Sequence, residues 1–217
     1  MKTKINFALF AFFVAVLSAG CSTNVVPKID ADALAYKGQA DKVPGRFALY
    51  VSVDAVEDVM TLDSHGCSHH IELSGTTRQF MVSTQQTIDN IFEDVEFVNA
   101  PLGRSALLRE QYDGMIAVEV RSLEIEMDIG GGGFTPWFES EVEIAVDASV
   151  DSITGRLFKV DVEGDADARE EIDGFCGQGI AVIEESISEA MKEALHNLAE
   201  KIVYSVQLRG VKGAAAR

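Results

Sequence analysis

Three consecutive segments, residues 115–129, 142–150 and 158–168, alternate apolar with mostly polar or charged side chains. A period of two is typical of β-strands that bury one face and expose the other. The gaps between the segments are short, and the second gap, residues 151–155, has the composition of a turn. Because short gaps favour hairpin pairing, the pattern predicts an antiparallel meander of three long strands.

The first of these segments changes the parity of its apolar residues half-way along. Apolar residues occupy even positions from Ile116 to Val120 and odd positions from Leu123 onwards. One extra residue near Arg121–Ser122 would return all of them to one face of the sheet. The sequence therefore predicts a β-bulge at that point.

Two further segments have the three- and four-residue spacing of amphipathic helices. In the first, Thr76 has the position of an N-cap and Gln79 that of its capping-box partner. The second begins after Asp173–Gly174 and ends at about Tyr204. The predicted buried residues are Phe80, Thr84, Ile88, Ile91 and Phe92 in the first helix, and Ile180, Ile183, Ile187, Met191, Ala194, Leu198 and Ile202 in the second.

Shorter strands are predicted at residues 47–53 and 95–98, with a loop or short hairpin at 55–74. This order predicts an α+β fold, with two helices packed on one face of a largely antiparallel four- to five-stranded sheet. The domain is expected to span residues 46–208. Residues 209–217 are expected to form a disordered tail.

The N-terminus has the pattern of an export signal. Basic residues at positions 2 and 4 precede an apolar run over residues 5–17, which is too short to span a membrane. The sequence from Leu17 to Cys21 resembles the lipobox of bacterial lipoprotein precursors, although Leu17 lies four residues before the cysteine instead of three. The resemblance implies a signal peptide at 1–20, a lipid-modified Cys21 and, from Ser22, sorting to the outer membrane with the domain facing the periplasm. Residues 21–45 are then expected to form a tether.

The predicted element order resembles that of several groups of small Gram-negative lipoproteins. These are the YajG-like proteins, the lipopolysaccharide-assembly lipoproteins and the auxiliary lipoproteins of ABC-type lipid transporters. The resemblance covers the lipobox and the order of elements, so it implies a fold and a location but carries over no functional residue.

Two cysteines other than Cys21 are present, Cys67 and Cys176. In an oxidising periplasm they predict a disulfide. The alternative is a metal site or a thiol-dependent active site, because histidines surround one of these cysteines and zinc or copper accepts such ligands. The residues of this alternative are His65, Cys67, His69 and His70.

A glycine-rich loop at 130–138 carries Phe134, Trp137 and Phe138. It lacks the Gly-Lys-Ser/Thr of a phosphate-binding loop. We expect its aromatic residues either to contact a partner or lipid, or to fold back over the edge of the sheet. An acidic ladder at 161–167 departs from the EF-hand pattern at two required positions, so it is expected to form a solvated strand face.

The chain carries 35 acidic and 18 basic residues, which disfavours nucleic acid as a partner. No catalytic motif is recognised, and no cofactor is expected. The sequence therefore predicts a non-catalytic lipoprotein that acts as a binding or accessory subunit of an envelope assembly or transport system. The alternatives are a lipid or lipopolysaccharide chaperone, and a metal- or thiol-dependent enzyme at the His65/Cys67/His69 cluster.

Overall fold

Eight strands and four helices are present in a computed structural model that describes residues 21–28, 30–37, 42–64, 67–130, 137–171 and 179–205. The side chains of 21–25, 62–69, 129 and 180 lie outside this description. The elements are β1 (Cys21–Val25), α1 (Ala31–Leu34), β2 (Val43–Ser52), β3 (Val59–Ser64), β4 (Cys67–Glu72), α2 (Ser74–Ile91), β5 (Phe92–Phe97), α3 (Arg104–Glu110), β6 (Gly114–Gly130), β7 (Trp137–Ser152), β8 (Gly155–Glu171) and α4 (Gly179–Tyr204).

The main sheet has five strands in the order β5-β2-β6-β7-β8. Strand β2 is parallel to both β5 and β6, whereas β6, β7 and β8 pair antiparallel. The α+β class is confirmed, but the prediction of a largely antiparallel sheet is wrong, because the sheet is mixed. Helix α2 lies between β2 and β5 in the chain. A helical crossover connects strands that run in the same direction, so β5 is parallel to β2. Residue periodicity identifies strands but not their directions.

The prediction of two helices is also incomplete, since the described residues form four. Helices α1 and α3 have 4 and 7 residues, which is too short to produce a periodic pattern. A second sheet, in the order β1-β4-β3, was not predicted either. We call it the small sheet. Among the helices of the described residues, none combines the length and the hydropathy needed to span a bilayer.

The meander and its bulge are both confirmed. Val120 pairs with Val146 and Ser122 pairs with Ala145, which leaves Arg121 as the extra residue of β6. Leu123 and Ile125 are consequently buried on the same side as Ile116. The bulge thus keeps one continuous apolar face along the strand.

Helix α4 covers this apolar face. Its side chains Ile183, Ile187 and Leu198 are fully buried against strand residues that include Val142 and Ile144. Each such aliphatic side chain contributes about 1.5–3 kcal/mol when it leaves water. The space between α4 and the sheet is therefore filled by side chains.

Helix α4 and the sheet approach each other closely at Gly164 of β8. A β-carbon at this position would overlap the carbonyl oxygen of Ala190 and lie 2.5 Å from the amide nitrogen of Ala194. Both are backbone atoms of α4, so they cannot turn aside as a flexible side chain would. A residue without a side chain is required here for α4 to pack.

Helix α2 buries the predicted stripe, Phe80, Thr84, Ile88 and Ile91. Thr84 is tolerated inside because its hydroxyl donates to the carbonyl of Phe80 at 2.8 Å.

The predicted capping box at Thr76 and Gln79 is wrong. The helix begins at Ser74, and Thr76 lies buried in its first turns with no hydrogen-bond partner for its hydroxyl. Leu73, the preceding residue, is itself buried and donates its amide to the carbonyl of Asp58 at 2.7 Å. Packing of Leu73, not a polar cap, sets the start of the helix.

The segment expected to be a tether makes specific contacts with the domain. Leu34 of α1 is 2% exposed and belongs to the core. The Ser83 hydroxyl donates to the carbonyl of Ala31 at 3.2 Å, and the amide of Tyr36 donates to the Thr87 hydroxyl at 3.0 Å. A single buried side chain, Leu34, and a few hydrogen bonds to the backbone produce no periodic pattern. The sequence therefore did not predict this packing.

An ionic cluster joins β2, β5 and the residues before β6. The Arg46 guanidinium lies 2.6 Å from the Glu96 carboxylate and 4.7 Å from the centre of the Tyr112 ring. A hydrogen bond from the Tyr112 hydroxyl and the neighbouring guanidinium lower the pKa of Glu96 below its usual 4.5. Glu96 therefore stabilises the fold above pH 4.5, and this contribution is lost as the pH falls through its lowered pKa.

We expect Gly164→Ala to destabilise the protein by about 1–3 kcal/mol, because α4 must move away from β8. Gly103→Ala is the matched control, since no atom lies within 4 Å of a β-carbon there. Urea unfolding followed by circular dichroism measures both. Equal midpoints for the two variants would show that α4 does not need the close approach.

We expect Glu96→Gln to lower the free energy of unfolding more at neutral pH than in acid, because protonation of wild-type Glu96 removes the same charge as the pH falls through its lowered pKa. Urea unfolding of both proteins across this range provides the measurement. A difference that does not change with pH would contradict the lowered pKa of Glu96.

Candidate functional site

The His/Cys cluster lies on the β3–β4 hairpin. In the backbone register, Cys67 is the partner of Ser64 in β3 and of Cys21 in β1. His65 and Cys176, and the side chains of Cys67 and His69, lie outside the described residues, so the Cys67–Cys176 disulfide stays a prediction.

His70 is the one histidine of the cluster whose side chain is described. It is half-buried, and its Nδ1 lies 3.0 Å from the Thr61 hydroxyl. Within the described part of the chain, no three His, Cys, Asp or Glu side chains are grouped so that they could hold a metal ion.

Trp137 and Phe138, two of the three aromatic residues of the glycine-rich loop, begin β7 and pack on their own domain. Phe138 is 1% exposed and lies in a small cluster with Ala168 and Val182. In this conformation Phe138 cannot contact lipid or a partner, because its neighbours already enclose it. Phe134, the third aromatic residue of the loop, lies outside the described residues.

Trp137 is half-buried and is held from two sides. Its ring packs on the backbone of Gly130, where a β-carbon would overlap it, and the Arg169 guanidinium lies 3.7 Å from the ring centre. This cation–π contact occupies a ring face that a ligand would otherwise use. Trp137 and Phe138 therefore pack on the sheet in this structure, and contact of the loop with a partner or lipid stays a prediction.

A large charged surface lies on the other face of the meander, opposite α4. Side chains alternate along each strand, so burial of one set under α4 places the other set in water. Six of these outward residues form two complete rows across β6, β7 and β8, and all six are exposed. We call them the acidic block: Glu124, Glu143 and Asp165 in one row, and Glu126, Glu141 and Asp167 in the next.

Like charges in the acidic block are direct cross-strand neighbours. Glu141, for example, is paired on one side with Glu126 and on the other with Asp167. Directly opposed side chains have β-carbons about 4.5–5.5 Å apart, and like charges at this spacing destabilise a sheet. None of the six carboxylates forms an ion pair with any side chain in the described ranges. Their mutual repulsion is therefore not offset within the described structure.

Basic residues border the acidic block at its two ends. The bulge residue Arg121 places its Nε 2.8 Å from Asp147 and its Nη2 3.9 Å from Glu163. The Arg121–Asp147 contact is an ion pair whose angle does not suit a hydrogen bond. At the other end Arg169 stacks on Trp137. Arg121 therefore pairs with acidic residues at one border, and Arg169 places a positive charge at the other, while the two rows between them consist of carboxylates alone.

This arrangement suits a cationic protein surface. The carboxylates stand in parallel rows and do not converge on one point, as metal ligands do. A field of one sign over a rigid sheet attracts a partner rich in Lys or Arg and speeds its association.

Sequence reasoning identified only the ladder on β8. The acidic residues of β6 and β7 have the same two-residue spacing, but their alignment depends on the strand register and on the bulge. A cross-strand alignment of the three predicted strands, drawn with the bulge, would have revealed the block.

A second surface feature is an open groove of about 500 Å³ beside α2. Met81, Val82 and Phe97 line it, with Asp58 and Arg78 among its polar residues. Val82 is 40% exposed, which is high for an aliphatic side chain on a helix that packs against the core. The groove could accept an apolar group.

No protein-family model matches this sequence, and no curated protein sequence matches it significantly. The fold is similar to that of a Helicobacter pylori protein described as a homolog of a neuraminyllactose-binding hemagglutinin, at 7% identity and a TM-score of 0.51, over 84% of this chain and 99% of that one. At this identity the likeness establishes a common fold only.

Two other solved structures have lower scores. A Xanthomonas campestris protein of the DUF330 family has 10% identity and a TM-score of 0.46, over 89% of this chain and 99% of that one. A minor lipoprotein from Acinetobacter baumannii has 11% identity and a TM-score of 0.33, over 75% and 92%. Both TM-scores fall below 0.5.

We expect Glu141→Gln to raise the melting temperature by about 1–3 °C in low salt, because it removes two like-charge pairs at once. The gain should shrink in high salt, where the repulsion is screened. Differential scanning calorimetry at two salt concentrations measures it, with Glu185→Gln on the exposed side of α4 as the control. A loss of stability in Glu141→Gln would contradict an uncompensated acidic block.

Proposed function

We propose that this chain is a lipid-anchored lipoprotein of the Gram-negative envelope that acts by binding, without catalysis. In this proposal the acidic block is the docking surface for a cationic protein partner. The observation that carries the proposal is the pair of uncompensated carboxylate rows on a rigid, solvent-facing sheet.

The anchor is supported by the sequence around Cys21. A basic start, an apolar run and small residues before the cysteine fit export and lipid modification of its sulfur. Two or more acyl chains hold a protein on a membrane far more firmly than one. Ser22 after the cysteine favours the outer membrane, with the domain in the periplasm.

The role as a binding subunit is supported by the character of the acidic block. Its carboxylates are exposed to water, whereas carboxylates that act as general acids or bases are usually enclosed and desolvated. Association through such a face is steered by charge and weakens with salt. An accessory subunit that joins an assembly or transport system can use such a surface to recruit a partner.

A second candidate function is binding of lipid or lipopolysaccharide. The groove beside α2 favours this candidate, since Met81, Val82 and Phe97 offer apolar contacts to an acyl chain and Arg78 offers a cation to a phosphate. The space between α4 and the sheet does not favour it, because core side chains already fill that space. Lipid that co-purifies with wild type but not with Val82→Asp would support this candidate.

The anchor is tested by Cys21→Ser. We expect the variant to appear in the soluble fraction, while the wild-type protein stays with membranes and its N-terminal peptide carries the mass of a diacylglyceryl group and an amide-linked acyl chain. Mass spectrometry and flotation of envelopes give both readings. A wild-type mature protein whose Cys21 is unmodified would contradict the proposed lipoprotein.

The docking surface is tested by two triple variants with the same change in charge. Glu126→Gln/Glu141→Gln/Asp167→Asn neutralises one row, and the control neutralises the exposed residues Glu57, Glu72 and Glu185 elsewhere. Both are crosslinked in intact envelopes, and the crosslinked peptides are mapped.

We expect the yield of crosslinked partner to be about tenfold lower for the row variant than for the wild type, because several charge contacts are removed together. The control should match the wild type, and the partner's crosslinked peptides should be rich in Lys or Arg. Equal yields from the row variant and the control would rule out the acidic block as the docking surface.

A further inference from the structure

We propose that the lipid anchor holds the domain directly against a phospholipid bilayer, with the end of the small sheet formed by Cys21, Ser64 and Cys67 facing the lipid. This inference rests on the lipid modification of Cys21 proposed above. The sequence predicted a flexible tether between the lipid and the domain. In this inference the lipid-bearing residue is instead part of the folded domain.

Cys21 is the first residue of a paired strand in the small sheet. Strand β1 begins at Cys21, whose partner in β4 is Cys67, and the parallel ladder continues without a shift to Val25 and Ile71. Ile71 is fully buried in the core. A lipid on Cys21 is therefore attached to the first residue of a strand that leads directly into the folded core.

The residues that follow β1 pack on the domain. Pro27 and Leu34 are buried, and the side-chain amide of Asn90 donates to the carbonyl of Tyr36 at 2.6 Å. The Tyr36 ring also contacts the His196 ring of α4, with their centres 5.4 Å apart. The described residues between 26 and 37 thus hold the chain on α2 and α4, so separation of β1 alone would not free a long tether.

The two alternatives differ in the distance between the domain and the membrane. A flexible chain over residues 22–45 would have a root-mean-square span of roughly 25–30 Å, and the domain could tumble. A docked strand leaves no such span, and the domain has one orientation. Along β3, Ser64 lies at the same end of the small sheet as Cys21, with Cys67 of β4 between them, and Val59 lies about 17 Å further along the strand.

The test uses tryptophan reporters at these two positions. Ser64→Trp and Val59→Trp are each made in a Trp137→Phe background, in which the reporter is the only tryptophan. The lipidated proteins are reconstituted in vesicles of phosphatidylethanolamine and phosphatidylglycerol, some of which carry a short-range nitroxide quencher on the head group. Circular dichroism checks that each variant is folded. If Trp137→Phe unfolds the protein, Ser64→Trp and Val59→Trp are made in the protein that keeps Trp137, and the quenching of Trp137 alone is subtracted.

We expect about threefold more quenching at Ser64→Trp than at Val59→Trp, given their separation along the strand. A ten-residue Gly/Ser insertion after Cys21, beginning with serine, should lower the Ser64→Trp quenching to the Val59→Trp value. Equal quenching at the two positions, or no effect of the insertion, would overturn the direct docking while the lipid anchor stands. Protein that does not float with the vesicles would instead overturn the anchor, and this inference with it.

Discussion

Helix α4 packs on one face of the β6–β7–β8 meander, and this packing decides which side chains of the three strands are buried and which are exposed. Burial of the alternate residues of three long strands forces the intervening residues into water. The bulge at Arg121 preserves this division along β6, and the missing side chain of Gly164 lets the helix approach closely. The outward carboxylates of three separate segments come together in two rows as a result.

Some of these features could be predicted from the sequence, because they depend on the spacing of residues within one segment. The stripe from Ile183 to Ile202, the meander and the bulge follow from local periodicity, so all three were predictable. The direction of β2 depends on the crossover through α2, and the start of α2 depends on the burial of Leu73. Neither of these features produces a pattern within one segment of the sequence. The capping box at Thr76 was a wrong prediction because burial of Leu73, which has no such pattern, sets the start of α2.

The functional surface was only partly predictable for a related reason. The ladder on β8 is visible as alternation within one segment, but a row across Glu126, Glu141 and Asp167 exists only once the strand register is known. The aromatic loop shows the opposite case. Its composition is unusual, yet Trp137 is held by Gly130 and Arg169, and Phe138 is buried, so the two described aromatic residues serve the fold.

The docked anchor and the acidic block are compatible in charge. An acidic surface is repelled by anionic head groups, so a domain fixed at the Cys21 end of the small sheet would hold the block towards the aqueous side. A lipid anchor of fixed orientation would then present the two carboxylate rows to proteins of the periplasm.

The proposed function depends on contact between the acidic block and a cationic partner. The most direct measurement places a photocrosslinking amino acid at position 141 and, separately, at the exposed position 185 on α4, in growing cells. We expect an adduct from position 141 alone, with the crosslink in a Lys- or Arg-rich segment of the partner. An adduct from position 185 and none from position 141 would contradict it.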